Sequence, residues 1–207
     1  DSIVSNESFN TIESPETHLS KHPGSEPAII ARISEIIPSD AAVFLGNSLP
    51  IREWNLAASH EVMHPNCFAN RGANGIDGEV STFLGISEGF EEAWGIFGDL
   101  TSLYDLNAPW ILGQLHTGKR RIVVLNNGGG RIFSRLPAMK SLGPNAMAMT
   151  ENHHQIQFSA WAELWGIEHL VWKPGPDEWQ LPQTDATIIE VQIDQAKSEE
   201  FWSDFQK

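Results

Sequence analysis

Asp99 and the doublet Asn126-Asn127 are the side chains of this sequence best suited to hold a hard cation. Asp99 lies in Gly98-Asp99-Leu100-Thr101, directly after the apolar run Trp94-Gly95-Ile96-Phe97. The doublet opens Asn126-Asn127-Gly128-Gly129-Gly130, directly after Ile122-Val123-Val124-Leu125. Short apolar runs of this kind predict buried strands, so each polar group stands where a strand ends. In an open α/β sheet, ligands sit beyond the carboxyl ends of the strands. A carboxylate and an amide there supply the oxygen ligands that magnesium prefers, and glycine-rich backbone leaves room for a diphosphate. An isolated Asp after a strand also serves as a helix N-cap, and Asn-Gly also makes hairpin turns. A hairpin needs a returning strand, however, and Arg131-Ile132-Phe133-Ser134-Arg135-Leu136-Pro137 does not alternate.

Two further loops follow predicted strands. They are Gly46-Asn47-Ser48-Leu49-Pro50 and Asn70-Arg71-Gly72-Ala73-Asn74-Gly75-Ile76-Asp77-Gly78. In a parallel sheet all four loops open on one edge, and this convergence weighs more than any single loop. Arg52 and Arg71 lie in or just after them. Arginine is usually a solvated surface charge, but it also grips carboxylates with two parallel hydrogen bonds. Two arginines on one edge of an acidic protein point to an anionic substrate. Ile76 is apolar in a polar, glycine-rich loop; it reads as a staple on the next helix or as a wedge shaping a ligand. Asp77 reads as a cap for that helix. His153 and His154 read as ordinary helix-start residues, since helix neighbours point apart. Glu91-Glu92 and Glu199-Glu200 read as solvated faces, and the eight tryptophans as packing residues.

The elements that must position these groups alternate along the chain. Strands are predicted over residues 41–45, 66–70, 94–97, 122–125, 168–172 and 186–191. Helices are predicted over 27–37, 52–60, 79–88, 102–115, 154–165 and 195–205. Short, non-alternating apolar strands fit a parallel sheet buried on both faces. The expectation is a doubly wound, mostly parallel six-stranded α/β sheet with helices on both faces. Residues 1–26, rich in Ser, Glu, Thr, Pro and His, read as a polar linker from an upstream region, and residues 27–207 as the folded domain.

The chain has 207 residues and is 41% hydrophobic, enough for one large domain with a real core. Its 13 basic and 27 acidic residues give a net charge of −14, which disfavours nucleic acid and anionic membranes. Lys119-Arg120-Arg121 reads as a solvated turn before a strand. The single cysteine, Cys67, excludes an internal disulfide and reads as a buried, inert thiol. No apolar run approaches a membrane span. The GxGxxG fingerprint, the GxxxxGK[ST] phosphate loop and the GxSxG elbow are all absent.

Gly98-Asp99 followed, a couple of dozen residues on, by Asn126-Asn127 resembles the diphosphate-binding signature of thiamine-diphosphate enzymes. Leu100 stands where most of that superfamily has Gly. Together with Gly46-Asn47-Ser48-Leu49-Pro50-Ile51-Arg52, the 70–78 loop, Gly98 to Asn107 and Asn126 to Pro137, it resembles the C-terminal domain of the 2-succinyl-5-enolpyruvyl-6-hydroxy-3-cyclohexene-1-carboxylate synthases of menaquinone biosynthesis, in which Gly-Asp-Leu is usual. The resemblance implies the thiamine-diphosphate-binding fold and a cytoplasmic enzyme using thiamine diphosphate with Mg2+ or Mn2+. It implies decarboxylation of 2-oxoglutarate and transfer of the remaining unit to isochorismate. By the same resemblance Asp99, Asn127 and the Gly129 carbonyl hold the metal. Asn47, Ser48, Gly98, Leu100 and Thr101 line the cofactor, Ile76 supports it, and Ile132 covers it. Ser48, Arg52, Arg71, Ile132, Phe133 and Leu136 meet the substrates. It further implies that the activating glutamate belongs to a separate N-terminal domain, that the full protein is a homodimer or homotetramer, and that this chain alone is inactive. The alternatives are a non-catalytic domain that kept the fold, or another 2-oxoacid decarboxylase or carboligase.

Overall fold

The computed structural model describes residues 14–72, 74–135, 139, 143–175 and 178–206. Six strands form one sheet: β1 (Ala42–Leu45), β2 (Cys67–Phe68), β3 (Glu92–Gly98), β4 (Lys119–Asn126), β5 (Glu168–Trp172) and β6 (Ala186–Gln192). Their order is β2-β1-β3-β4-β6-β5, and every pairing is parallel. The expected doubly wound α/β architecture is therefore present.

Strand periodicity sends alternate side chains to opposite faces, and both faces are apolar here. Val43, Leu45, Trp94, Ile96, Val123 and Leu125 join Ile29, Ile30 and Ile33 of α2 (Glu26–Ile36) on one side. Ala42, Phe44, Phe97, Ile122 and Val124 join Val80, Phe83 and Leu84 of α4 (Glu79–Ser87) on the other. Fully burying one such large side chain contributes about 1.5–3 kcal/mol, so the two-sided core carries the fold.

Strand order creates the crevice. From β1 the chain goes outward to β2, then returns to β3 on the other side of β1, so the winding reverses between β1 and β3. Helix α3 (Leu49–Ala57) follows β1 and packs Ile51 and Trp54 on the first core. Helix α5 (Asp99–Tyr104) follows β3 and packs Leu103 on the second. Adjacent strands that send their chains to opposite faces leave a cleft at their carboxyl ends.

Several expectations are corrected. The helix predicted over 102–115 is two pieces, α5 and a 3₁₀ helix at Ala108–Gln114 whose first turn holds Pro109, a position where proline's missing N–H is not needed. Helix α3 begins three residues before the predicted 52, led by Pro50 in its first turn. The helix expected from 154 starts only at Ser159 (α7, Ser159–Trp165), and α6 (Pro144–Glu151) was not foreseen. The end of the supposed linker is also ordered. Pro15–Lys21 forms α1, and His18 and His22 lie 3.3 Å from Asp204 of α8 (Gln195–Phe205).

Arg120 and Arg121 do not sit in a solvated turn. They belong to β4 and are buried, because Ser87 accepts from Arg120 and Thr187 from Arg121. Cys67 is exposed rather than buried, since β2 is an edge strand only two residues long. Of the paired glutamates, Glu92 is tied to Trp94 Nε1 at 2.9 Å and to Lys119 at 3.3 Å, whereas Glu199 and Glu200 are exposed as expected.

Ile96, wholly buried at the centre of the sheet, tests the core directly. Ile96→Ala is expected to lower unfolding free energy by about 2–5 kcal/mol. Urea denaturation should show a lower midpoint with an unchanged slope.

Candidate functional site

A cavity of about 400 Å³ opens at the carboxyl edge of β1, β3 and β4. Asp99 and Asn127 both line it, as do Asn47, Ser48, Ile76, Gly98, Leu100, Thr101 and Gly129. Arg52, Arg71, Ile132 and Phe133 complete its rim. Leu136 lies outside the described residues.

The register of β3 on β4 pairs Gly98 with Leu125, which brings the two loop starts side by side. Asp99 then fastens one loop to the other. Its Oδ2 accepts from the amides of Gly128 at 2.7 Å and Gly129 at 3.0 Å, and its Oδ1 accepts from Leu100 N at 2.6 Å. His154 Nε2 lies 3.2 Å from Oδ2, while His154 Nδ1 accepts from Ile156 N at 3.1 Å. His154 Nε2 itself is buried and makes no hydrogen bond among the described residues. Burial pushes the Asp99 carboxyl above the ordinary aspartate range, opposed by His154 and by the three backbone amides. A bound divalent ion would favour its charged form.

Asn127 is 7% exposed and its amide is used on one side only. Nδ2 donates to both carboxylate oxygens of Glu26, at 3.1 and 3.3 Å. Oδ1 is buried and has no hydrogen-bond partner among the described residues. A buried acceptor left without a partner costs about 1–3 kcal/mol. The carbonyl of Gly129 accepts one N–H, from Arg131 at 2.9 Å, and keeps a second lone pair. Position 129 admits only glycine: φ is +138°, and a Cβ would fall 2.5 Å from the Glu151 carbonyl. One carboxylate and two neutral oxygens form a hard donor set of the kind magnesium takes. Among the described residues, no cluster of three or more His, Cys, Asp and Glu side chains is arranged as a metal site.

The β1 loop is held by a second buried carboxylate. Asn47 N donates to Glu79 at 2.9 and 3.2 Å, Asn47 Nδ2 donates to Gly75 O at 2.8 Å, and Arg71 Nη1 donates to Asn47 Oδ1 at 2.9 Å. Asn47 thus joins the β1 loop to the 70–78 loop and orients Arg71. Arg52 folds back to donate to Ser48 O at 2.5 Å. Ser48 itself has φ of +72°, a conformation stabilised only by surrounding contacts.

Sequence reasoning missed four contributors. Glu26 lines the cavity, although it sat in the supposed linker. His154 is no helix-start residue; the extended 153–157 segment carries it to Asp99. Glu79 and Arg131 complete the group, Arg131 reaching the Asn127 carbonyl at 3.2 Å. Ser25 caps α2 by accepting from Ala28 N, but nothing local in the sequence marked Glu26 as buried.

Burial pushes the Glu79 carboxyl up to about 7, with Asp77 adding to the rise while the Asn47 amide and Arg71 oppose it. The folded state therefore holds this proton more tightly than the unfolded chain. Its contribution to stability is complete below about pH 4.5 and is lost as pH rises through about 7. Glu79→Gln is expected to flatten the fall in unfolding free energy across that window by about 1–3 kcal/mol. Urea titrations at pH 5, 6, 7 and 8 provide the check; an unchanged slope would contradict the assignment.

No protein-family model matches the chain. Its curated relatives are named 2-succinyl-5-enolpyruvyl-6-hydroxy-3-cyclohexene-1-carboxylate synthase. That of Bdellovibrio bacteriovorus is 43% identical over 188 residues, covering 90% of this chain and 34% of the relative. That of Akkermansia muciniphila is 38% identical over 181 residues, covering 86% and 34%. That of Geobacillus kaustophilus is 35% identical over 192 residues, covering 88% and 32%. The fold is shared with a solved structure described as a putative thiamin diphosphate-dependent enzyme from Mycobacterium smegmatis. The TM-score is 0.57 at 20% identity, over 84% of this chain and 32% of that one. The chain thus spans about a third of the length of its curated relatives, and over that third it resembles the 2-succinyl-5-enolpyruvyl-6-hydroxy-3-cyclohexene-1-carboxylate synthases.

Proposed function

We propose that this chain is the diphosphate-binding part of a thiamine-diphosphate- and magnesium-dependent synthase acting on 2-oxoglutarate and isochorismate. The observation that carries the reading is Asn127 Oδ1, buried and without a hydrogen-bond partner among the described residues, on a residue that lines the same cavity as Asp99 and Gly129. A divalent ion bound through these three oxygens would satisfy it, and Mn2+ would suit the same donors. When bound, thiamine diphosphate supplies the electron sink for loss of carbon dioxide from a 2-oxo acid and for carbon–carbon bond formation.

The chain's own residues would position and shield. Asp99, Asn127 and Gly129 would hold the metal, and Gly98, Leu100 and Thr101, which line the same cavity, would hold the diphosphate. Ile76 and Asn47 support the cofactor from the β1 side. Arg52 and Arg71 pair with substrate carboxylates, and Ser48 donates to the same groups; such charge-assisted contacts are the strong ones. Arg71 is already oriented by Asn47, which reduces the ordering cost of binding. Ile132 and Phe133 form an apolar wall that keeps water from the reacting atoms.

The curated relatives are about three times as long as this chain. On the proposed reading, the carboxylate that activates the cofactor lies outside these 207 residues, the assembled enzyme is a homo-oligomer, and the isolated chain does not turn over.

Calorimetry on the full-length protein tests the reading. Thiamine diphosphate should bind saturably with Mg2+ present and not after chelation. Asn127→Ala should weaken binding by about tenfold or more. Wild-type protein that binds no thiamine diphosphate would overturn the proposal. Product analysis with 2-oxoglutarate, with and without isochorismate, separates this synthase from another carboligase.

A further inference from the structure

From the cavity wall at Glu26 runs a chain of buried charges that the proposed chemistry does not use. Glu26, at 1% exposure, is the first residue of α2, and its backbone N–H donates to Ser198 Oγ of α8 at 3.0 Å. Arg135 Nη2 lies 3.7 Å from Glu26 Oε2, and Arg135 Nη1 donates to the fully buried Glu53 at 2.8 Å. The Arg135 guanidinium also rests 4.6 Å from the centre of the Trp202 ring. Burying two carboxylates around a single guanidinium is costly in an apolar core. The arrangement ends on one group, the Asn127 amide, which Glu26 meets with both oxygens.

An amide has two nearly isosteric ends, so its orientation depends on its partners. A carboxylate accepts hydrogen bonds and, when ionised, donates none. Facing an ionised Glu26, Asn127 must present Nδ2; the flipped amide would set Oδ1 against two carboxylate oxygens. That orientation leaves Oδ1 buried and without a hydrogen-bond partner among the described residues, on a residue that lines the cavity.

We propose that Glu26 is a positioning residue for the Asn127 metal ligand, fixing the amide so that its oxygen, not its nitrogen, is offered to the cation. This rests on the metal-binding reading given above. Ligand-orienting partners of this kind are typically worth about 10- to 100-fold in metal affinity.

A variant pair tests it. Glutamine at position 26 presents both a donor and an acceptor, so it no longer dictates the amide's orientation. In the full-length protein with saturating thiamine diphosphate, Glu26→Gln should weaken Mg2+ binding by about 10- to 100-fold, read by calorimetry. Asn127→Asp alone sets two carboxylates face to face and should also bind Mg2+ poorly. The double variant E26Q/N127D restores a donor at 26 and an oxygen toward the cavity, and should bind Mg2+ at least about tenfold more tightly than E26Q. A residue that served only to support the fold would lower the thermal midpoint without producing this rescue. Should E26Q fail to fold, Glu26→Asp, which withdraws the carboxylate by one methylene, should show the weakened binding.

Unchanged Mg2+ affinity in E26Q, or a double variant no tighter than E26Q, would overturn the inference while leaving the cofactor reading in place. Wild-type protein that binds neither Mg2+ nor thiamine diphosphate would overturn both.

Discussion

One hydrogen-bonded junction organises this molecule's working edge. Asp99, the first residue beyond β3, uses a single carboxylate oxygen to draw in two successive amides of the loop beyond β4. The junction is possible only because the strands pair in parallel, with Gly98 opposite Leu125. A slip of one residue would turn each strand's core side chains to the wrong face, so the two-sided core fixes the register and the register fixes the loops. Hydrophobic packing thus sets the geometry of a polar site to which it contributes no atoms.

The rim is backed by a ring of buried acid. Glu190 accepts from the Asn126 amide at 2.7 Å, from Phe158 N at 2.9 Å, and lies 3.1 Å from His169. Glu26 accepts from Asn127, and Glu79 from Asn47. Asn126 at the end of β4 and the loop residues Asn127 and Asn47 are therefore each held by a glutamate of a different element. Each carboxylate is desolvated, and burial lifts Glu26 to about 7 and Glu53 well above its ordinary range, the latter raised further by Glu26. Arg135 offsets part of that cost for both. A net charge of −14 is thus not only a surface property; several of the acids serve as internal struts.

The fold was legible because its signals are local. Ile122-Val123-Val124-Leu125 is too apolar and too short to be anything but a buried strand, and α8 carries its N-cap in Asp194. The polar residues expected to meet did meet, since each directly follows a strand and topology alone delivers it to the edge. What escaped was long-range. Glu26 looks solvated beside Ser25 and Pro27, and only the docking of α2 on α8 buries it against an asparagine 101 positions away. His154 follows α6, yet an extended segment anchored by Asn126 on Ile156 carries it to Asp99. Arg120 and Arg121 were misread because their neutral partners, Ser87 and Thr187, come from other elements.

Gly129 carries a further consequence. Its contribution is made wholly through the main chain: an N–H held by Asp99, a carbonyl that accepts from Arg131 N, and a position where an added Cβ would strike the Glu151 carbonyl at the end of α6. A side chain there has nowhere to go, so natural variation has no gradual path at this position. Leu100, Ile132 and Phe133, by contrast, line the same cavity on ordinary negative-φ backbone.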